Sequence, residues 1–179
     1  DKVVTSFISN RTGGEGDLAQ VLDGDLSTQV IFKNPTRIAT GDYVGLQFNK
    51  PISIKKLSFA MGAVSNLKDT FNKAKIEYQN EAGEWTALPQ GNYVGNESEI
   101  NLDNLNITAK AVRIIATEDR DNTWFGVREI AVNRPLEDLK KKAGTISISS
   151  NLVYKMNTTA AKITDNSDSS EAMLASSST

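Results

Sequence analysis

Tyr43-Val-Gly-Leu-Gln-Phe48 decides the fold, because Val44, Leu46 and Phe48 alternate with small or polar residues until Asn49-Lys-Pro51 breaks the pattern. Alternation with a period of two gives an extended chain one apolar face, the mark of a strand with one side in a core, and a proline is a natural stop for it. Beyond the stop, Ile52 and Ile54 keep one phase while Leu57, Phe59 and Met61 take another, and a bulge at Lys55-Lys56 would reconcile the two. Residues 62–72 are polar and irregular and read as a loop. Ala74, Ile76 and Tyr78 then share a face, and Asn80-Glu-Ala-Gly83 turns the chain into Trp85–Leu88 as a hairpin. Ile100, Leu102 and Leu105 mark another strand region. Ala111-Val-Arg-Ile-Ile-Ala116 is a short apolar run of the buried kind, and Asp119–Thr123 forms a loop tip before a last strand at Trp124–Val132. Toward the N-terminus, Val30–Phe32 is a short apolar run ended by Lys33-Asn-Pro-Thr-Arg37, Asn10–Gly16 is a glycine-rich loop, and Val3–Ser9 is a first strand. Many short strands with no helical period predict an all-β antiparallel β-sandwich over residues 1–134.

After Pro135, Leu136–Ala143 carries acids early and lysines late, as a helix dipole favours, and Gly144 ends it. Residues 135–144 thus read as a short helical spacer. The rest, 145–179, is rich in Ser and Thr and reads either as a linker or as the truncated start of a second, similar module. The second reading comes from Ala161–Ser170, which aligns with Ala19–Thr28 through shared Ala, Asp and Ser positions.

Composition removes several function classes. The 179 residues contain no His and no Cys, so imidazole bases, thiolate nucleophiles, disulfides and zinc thiolate sites are all excluded. A net charge of −2 gives no footprint for nucleic acid. The sequence carries no apolar run long enough to insert in a membrane, and, beginning at Asp1 rather than Met, it is expected to be part of a longer protein. A glycosidase would need two facing carboxylates, and no spacing here suggests them, so no catalysis is expected.

Ala19-Gln-Val-Leu-Asp-Gly-Asp-Leu-Ser-Thr28 concentrates oxygen donors in a short space. Asp23 and Asp25 offer anionic oxygens, Ser27 and Thr28 neutral ones, and Gly24 lets backbone carbonyls turn inward, a donor set suited to a hard cation such as Ca²⁺. The same residues also make an ordinary Asp-Gly surface turn.

Leu22-Asp-Gly-Asp-Leu-Ser-Thr28 and Trp124-Phe-Gly-Val-Arg-Glu-Ile-Ala-Val132 together resemble the two signatures of the discoidin, or coagulation factor 5/8 type C, fold, a jelly-roll sandwich. More narrowly, residues 3–133 resemble a family 32 carbohydrate-binding module of the kind attached to secreted bacterial glycoside hydrolases, including mu-toxin-type β-N-acetylglucosaminidases. One departure is Val30, where the family usually has Trp. The resemblance implies a structural Ca²⁺ held by side-chain oxygens of Asp23 and Thr28, by carbonyls of Gln20, Asp25 and Arg128, and by Glu129 from the last strand. It also implies a secreted or cell-surface bacterial protein, covalently joined to neighbouring modules, that binds a glycan. The alternative is a discoidin-type adhesion domain that binds lipid or protein.

A sugar site is expected on Trp124 and Phe125, with one of the two rings free to plug the core instead. Loops 32–37, beginning at Phe32, and 62–72 flank it, and Asn122, Asn66, Lys68 and Asp69 could bond hydroxyls. Galactose-binding relatives place a His against the axial hydroxyl, and the matching residue here is Ile31. The expectation is therefore an equatorial sugar, N-acetylglucosamine, ahead of galactose.

Overall fold

The computed structural model describes residues 2–91, 93–94, 97–142, 152–154 and 174–176. The chain divides into two compact units, Asp1–Ala143 and Gly144–Thr179. The first is an antiparallel sandwich. Its larger sheet takes β1 (Thr5–Ser9), β4 (Tyr43–Ile54), β10 (Ile107–Ala116), β6 (Lys73–Gln79) and β7 (Trp85–Ala87) in that spatial order, and β8 (Tyr93–Val94) also pairs with β6. The smaller sheet runs β2 (Val30–Phe32), β12 (Phe125–Val132), β5 (Leu57–Met61) and β9 (Glu99–Leu102). A two-residue pairing of β3 (Arg37–Ile38) with β11 (Arg120–Asp121) ties two loops together at one end.

The alternation in β4 does what its pattern requires: Val44, Leu46 and Phe48 enter the core, where they meet Val112 and Ile114 of β10, Ile76 of β6, and Leu57, Phe59, Val127 and Ile130 of the other sheet. Two expectations need correction. Pro51 does not end the strand, because β4 continues to Ile54. Ile52 pairs with Ala109 and Gln47 with Ala111, so the segment carrying the proline bulges out of the ladder, where a missing N–H costs no bond. Nor is there a bulge at Lys55-Lys56. There the chain leaves one sheet for the other, and this change of sheet explains the change of phase. Asn133 holds the corner: its side-chain oxygen accepts from the backbone N–H of Lys55 at 2.8 Å and its amide donates to the Ser53 carbonyl at 2.9 Å.

β5 is buried on both faces. The second cover is the helix α1 (Leu136–Lys142), whose Leu136 and Leu139 pack on Ala60 and Ala131, with Leu26 alongside. The segment that reads as a spacer is thus also a lid on the outer face of the smaller sheet. In the second unit, β13 (Leu152–Tyr154) pairs antiparallel with β14 (Leu174–Ser176). The stretch aligned with Ala19–Thr28, Ala161–Ser170, lies outside the described residues.

Candidate functional site

Two places gather the residues singled out by sequence. The first is the loop between β1 and β2, opened by a 3₁₀ turn at Leu18–Val21 that Asp17 caps, its carboxylate accepting from the Ala19 N–H. From there the chain folds over the outer face of β12. Asp23 accepts from the Asp25 N–H at 2.7 Å, and Asp25 accepts from the N–H and hydroxyl of Ser27. Those bonds, the Ser27 hydroxyl first, hold the Asp25 carboxyl below its ordinary range. The Thr28 hydroxyl stands 2.8 Å from Asp23 Oδ2, 3.0 Å from the Asp25 carbonyl and 3.5 Å from the Gln20 carbonyl. Four of the six expected ligand residues therefore converge on one point.

Glu129 comes to this loop from β12. It has no exposed surface, which removes the reading of an outward, solvated residue. Its Oε2 accepts from the Gly24 N–H at 3.1 Å and its Oε1 pairs with Arg134. Burial above all, with the neighbouring Asp23 charge adding to it, pushes the Glu129 carboxyl up to about 7 against the opposing pull of Gly24 and Arg134. Val127 pairs with Met61 but Glu129 with Ala60, so Arg128 is the extra residue of a bulge in this ladder. Its guanidinium turns inward to the Met61 carbonyl at 3.1 Å, a structural anchor that the sequence does not reveal. Among the described residues no three acidic side chains gather to hold a metal, so a cation here would complete its shell with the Thr28 hydroxyl and backbone carbonyls, ligands a hard cation accepts. On that chemistry the donor set fits.

The second place is the loop cluster before β12. Gly126 bonds loop 62–72 on both sides, its N–H donating to the Asp69 carbonyl at 2.9 Å and its carbonyl accepting from the Gly62 N–H at 2.8 Å. The approach requires two glycines. A Cβ on Gly126 would lie 2.8 Å from the Gly62 carbonyl oxygen, and Gly62, at φ +88°, would drive one into Leu67 at 2.5 Å. Arg120 fastens the same loop by donating to the carbonyls of Lys68 and Thr70, while Arg11 fastens the 33–37 turn through the carbonyls of Pro35 and Arg37 and an ion pair with Asp42. Sequence reading misses both arginines, whose partners are backbone carbonyls distant in the chain.

Trp124 stands at the tip, 37% exposed, with Lys33 Nζ 5.3 Å from its ring centre. Asn122 is exposed beside it, in a left-handed backbone conformation at φ +55°. Asn66, Lys68 and Asp69 lie in the fastened loop, with the Asn66 amide donating to Asp69 at 2.9 Å. Phe125 and Phe32 are corrections to the expected site. Their rings stack 4.9 Å apart in the core, with Phe71 against Phe125, and neither has a free face. Phe125 is the ring that plugs the sandwich, leaving Trp124 the free one. Sequence reading also misses Val64 and Leu67, each 45% exposed in loop 62–72.

The factor 5/8 type C domain model matches residues 4–130. The chain belongs to the F5/8 type C family. Solved structures with this fold include the family 32 module of Clostridium perfringens NanJ in complex with galactose, at 18% identity and a TM-score of 0.55 over 73% of this chain and 92% of that one. Chitosan-binding module 1 of a Paenibacillus chitosanase/glucanase is similar at 14% identity and TM-score 0.58, over 73% and 95%. A family 32 module of a GH31 protein, bound to GalNAc, matches at 14% and 0.56, over 75% and 100%. No curated protein sequence matches significantly.

Proposed function

We propose that this F5/8 type C domain is a non-catalytic glycan-binding module, stabilised by one Ca²⁺, that directs a secreted bacterial glycoside hydrolase to its substrate. The observation that carries the reading is Trp124, an indole left partly bare at the tip of three loops that two glycines and two arginines hold in place. A large aromatic kept wet at the loop tip is a platform for the apolar face of a pyranose, and Asn122, with Asn66, Lys68 and Asp69 of loop 62–72, are the hydroxyl partners we assign to it. The similar sugar-binding modules support the same reading. Ile31 is buried and brings no polar atom toward an axial hydroxyl, which favours an equatorial sugar, N-acetylglucosamine, over galactose.

The cation ties the first loop to the last strand through Gln20, Asp23, Asp25, Thr28, Arg128 and Glu129. It would supply positive charge to the buried Glu129 carboxylate and the exposed Asp23 beside it, and its part is structural. A shallow site of this kind binds weakly, on the order of micromolar to millimolar. Calorimetric titration with β-linked N-acetylglucosamine disaccharides and with lactose tests the reading. The disaccharide is expected to bind tighter, and Trp124→Ala to lose binding; tighter lactose binding, or retention by the variant, contradicts it. Exposed Val64 and Leu67 in loop 62–72 favour a second reading, the lipid- or protein-binding adhesion domain. Sedimentation with neutral and anionic vesicles separates the two.

A further inference from the structure

Lys33 is placed where a ligand on Trp124 must meet it. Its ammonium lies over the indole at 5.3 Å from the ring centre and is held there by Glu15 Oε2 at 2.6 Å. Both partners of that ion pair are substantially exposed, so the pair is weak and exchangeable. The other acids of the tip are already engaged: Asp69 accepts from the Asn66 amide, Asp119 from Thr40 and Arg37, and Asp121 lies 3.9 Å from Arg37. The Thr40 bonds above all hold the Asp119 carboxyl below its ordinary range, so that it stays charged and paired. No acid is bonded to the Lys68 ammonium among the described residues.

We propose that the glycan read by this tip is acidic, with a uronic acid carboxylate taking the place of Glu15 on Lys33 while an equatorial pyranose stacks on Trp124. This rests on the sugar-site reading and deepens it, adding an acidic group to the glycan that carries the equatorial sugar. A carboxylate on a ring carbon is carried rigidly with the stacked sugar, so it meets the ammonium with little ordering cost of its own, and the contact becomes a charge-assisted hydrogen bond. Glu15, on the opposite side of the exchange, competes for the same ammonium. A neutral sugar such as N-acetylglucosamine still stacks on Trp124 but leaves the Lys33–Glu15 pair in place and gains no such contact.

The test uses the full chain and two ligands that differ only at C6, β-1,4-linked glucuronic acid tetrasaccharide and cellotetraose, titrated at low and at high salt. The acidic ligand is expected to bind about three- to tenfold tighter at low salt, with the ratio shrinking toward one as salt rises, as for a partly exposed ion pair. Lys33→Gln is expected to bring the ratio to about one, and Glu15→Gln, which releases Lys33, to raise it. Equal affinities in the parent chain, or a ratio that survives Lys33→Gln, overturn the proposal while leaving a neutral sugar site in place. Undiminished binding of both ligands by Trp124→Ala overturns the sugar-site reading together with it.

Discussion

Glu129 is a carboxylate with no exposed surface, set against Asp23 and paired with Arg134. A buried acid next to another acid is expensive without added positive charge, and the cation proposed at this loop provides it. The consequence can be read from pH. The unfolded carboxyl titrates near 4.5 and the cation-free folded one near 7, so between these values the folded state holds a proton that the unfolded state has released. Stability contributed by the neutral form is therefore complete below pH 4.5 and lost as pH rises toward 7. In chelator, the melting midpoint is expected to fall from pH 5 to pH 7.5, and Ca²⁺ to raise it more at pH 7.5 than at pH 5, because metal and proton compete for the same oxygen. Glu129→Gln should flatten the pH response and abolish the Ca²⁺ increment. A midpoint indifferent to both pH and Ca²⁺ in the parent chain would contradict the assignment, and scanning calorimetry reads all of these.

At the level of elements, α1 does more than lead the chain away from the sandwich. Gly24 lies against Arg134 and Leu139, so the helix backs loop 20–28 as well as covering Ala60 and Ala131. Ending the chain after Arg134 strips Leu136 and Leu139 from the sheet and is expected to lower stability, whereas ending it after Ala143 should leave the sandwich's midpoint unchanged. Leu139→Ala, a truncation in a small satellite cluster, is expected to cost about 2–3 kcal/mol and to weaken Ca²⁺ binding, read by urea unfolding with and without the ion. A truncation after Arg134 as stable as the longer chain would show that the helix contributes no cover. The strands themselves are legible in sequence because a period of two is a local signal, as in Val44, Leu46 and Phe48. The cover on β5 is not, because Ala60 and Ala131 are small residues whose partner comes from across the chain. The same limit applies to the site: the donors at 20–28 are contiguous and can be read, while Lys33, Arg11 and Arg120 reach the tip through partners that only folding supplies. Phe32 and Phe125 could not be told from Trp124 by residue type, since burial is what separates them.

For the molecule as a whole, the sandwich is a rigid frame that presents chemistry at its loops, and its two indoles report on opposite roles. Trp85 sits on the larger sheet with the Arg113 guanidinium 3.9 Å from its ring centre, and Arg113 is in turn paired with the buried Glu77. Burial alone would raise the Glu77 carboxyl, but Lys75 and Arg113 together hold it below its ordinary range, so this network stays charged and fixed. Trp124, by contrast, has the exposed Lys33 ammonium over its ring and is 37% exposed to a ligand. The binding site proposed for glycan is the Trp124 tip rather than the sheet face around Trp85. The most direct measurement is a nitrogen-15 NMR titration of the full chain with β-linked N-acetylglucosamine disaccharide. The Trp124 indole N–H and the amides of residues 29–37, 62–72 and 119–126 are expected to shift together in saturable fashion while the Trp85 indole stays in place. Shifts centred on Trp85 and the larger sheet, or a Trp124 indole unmoved at saturation, would contradict it.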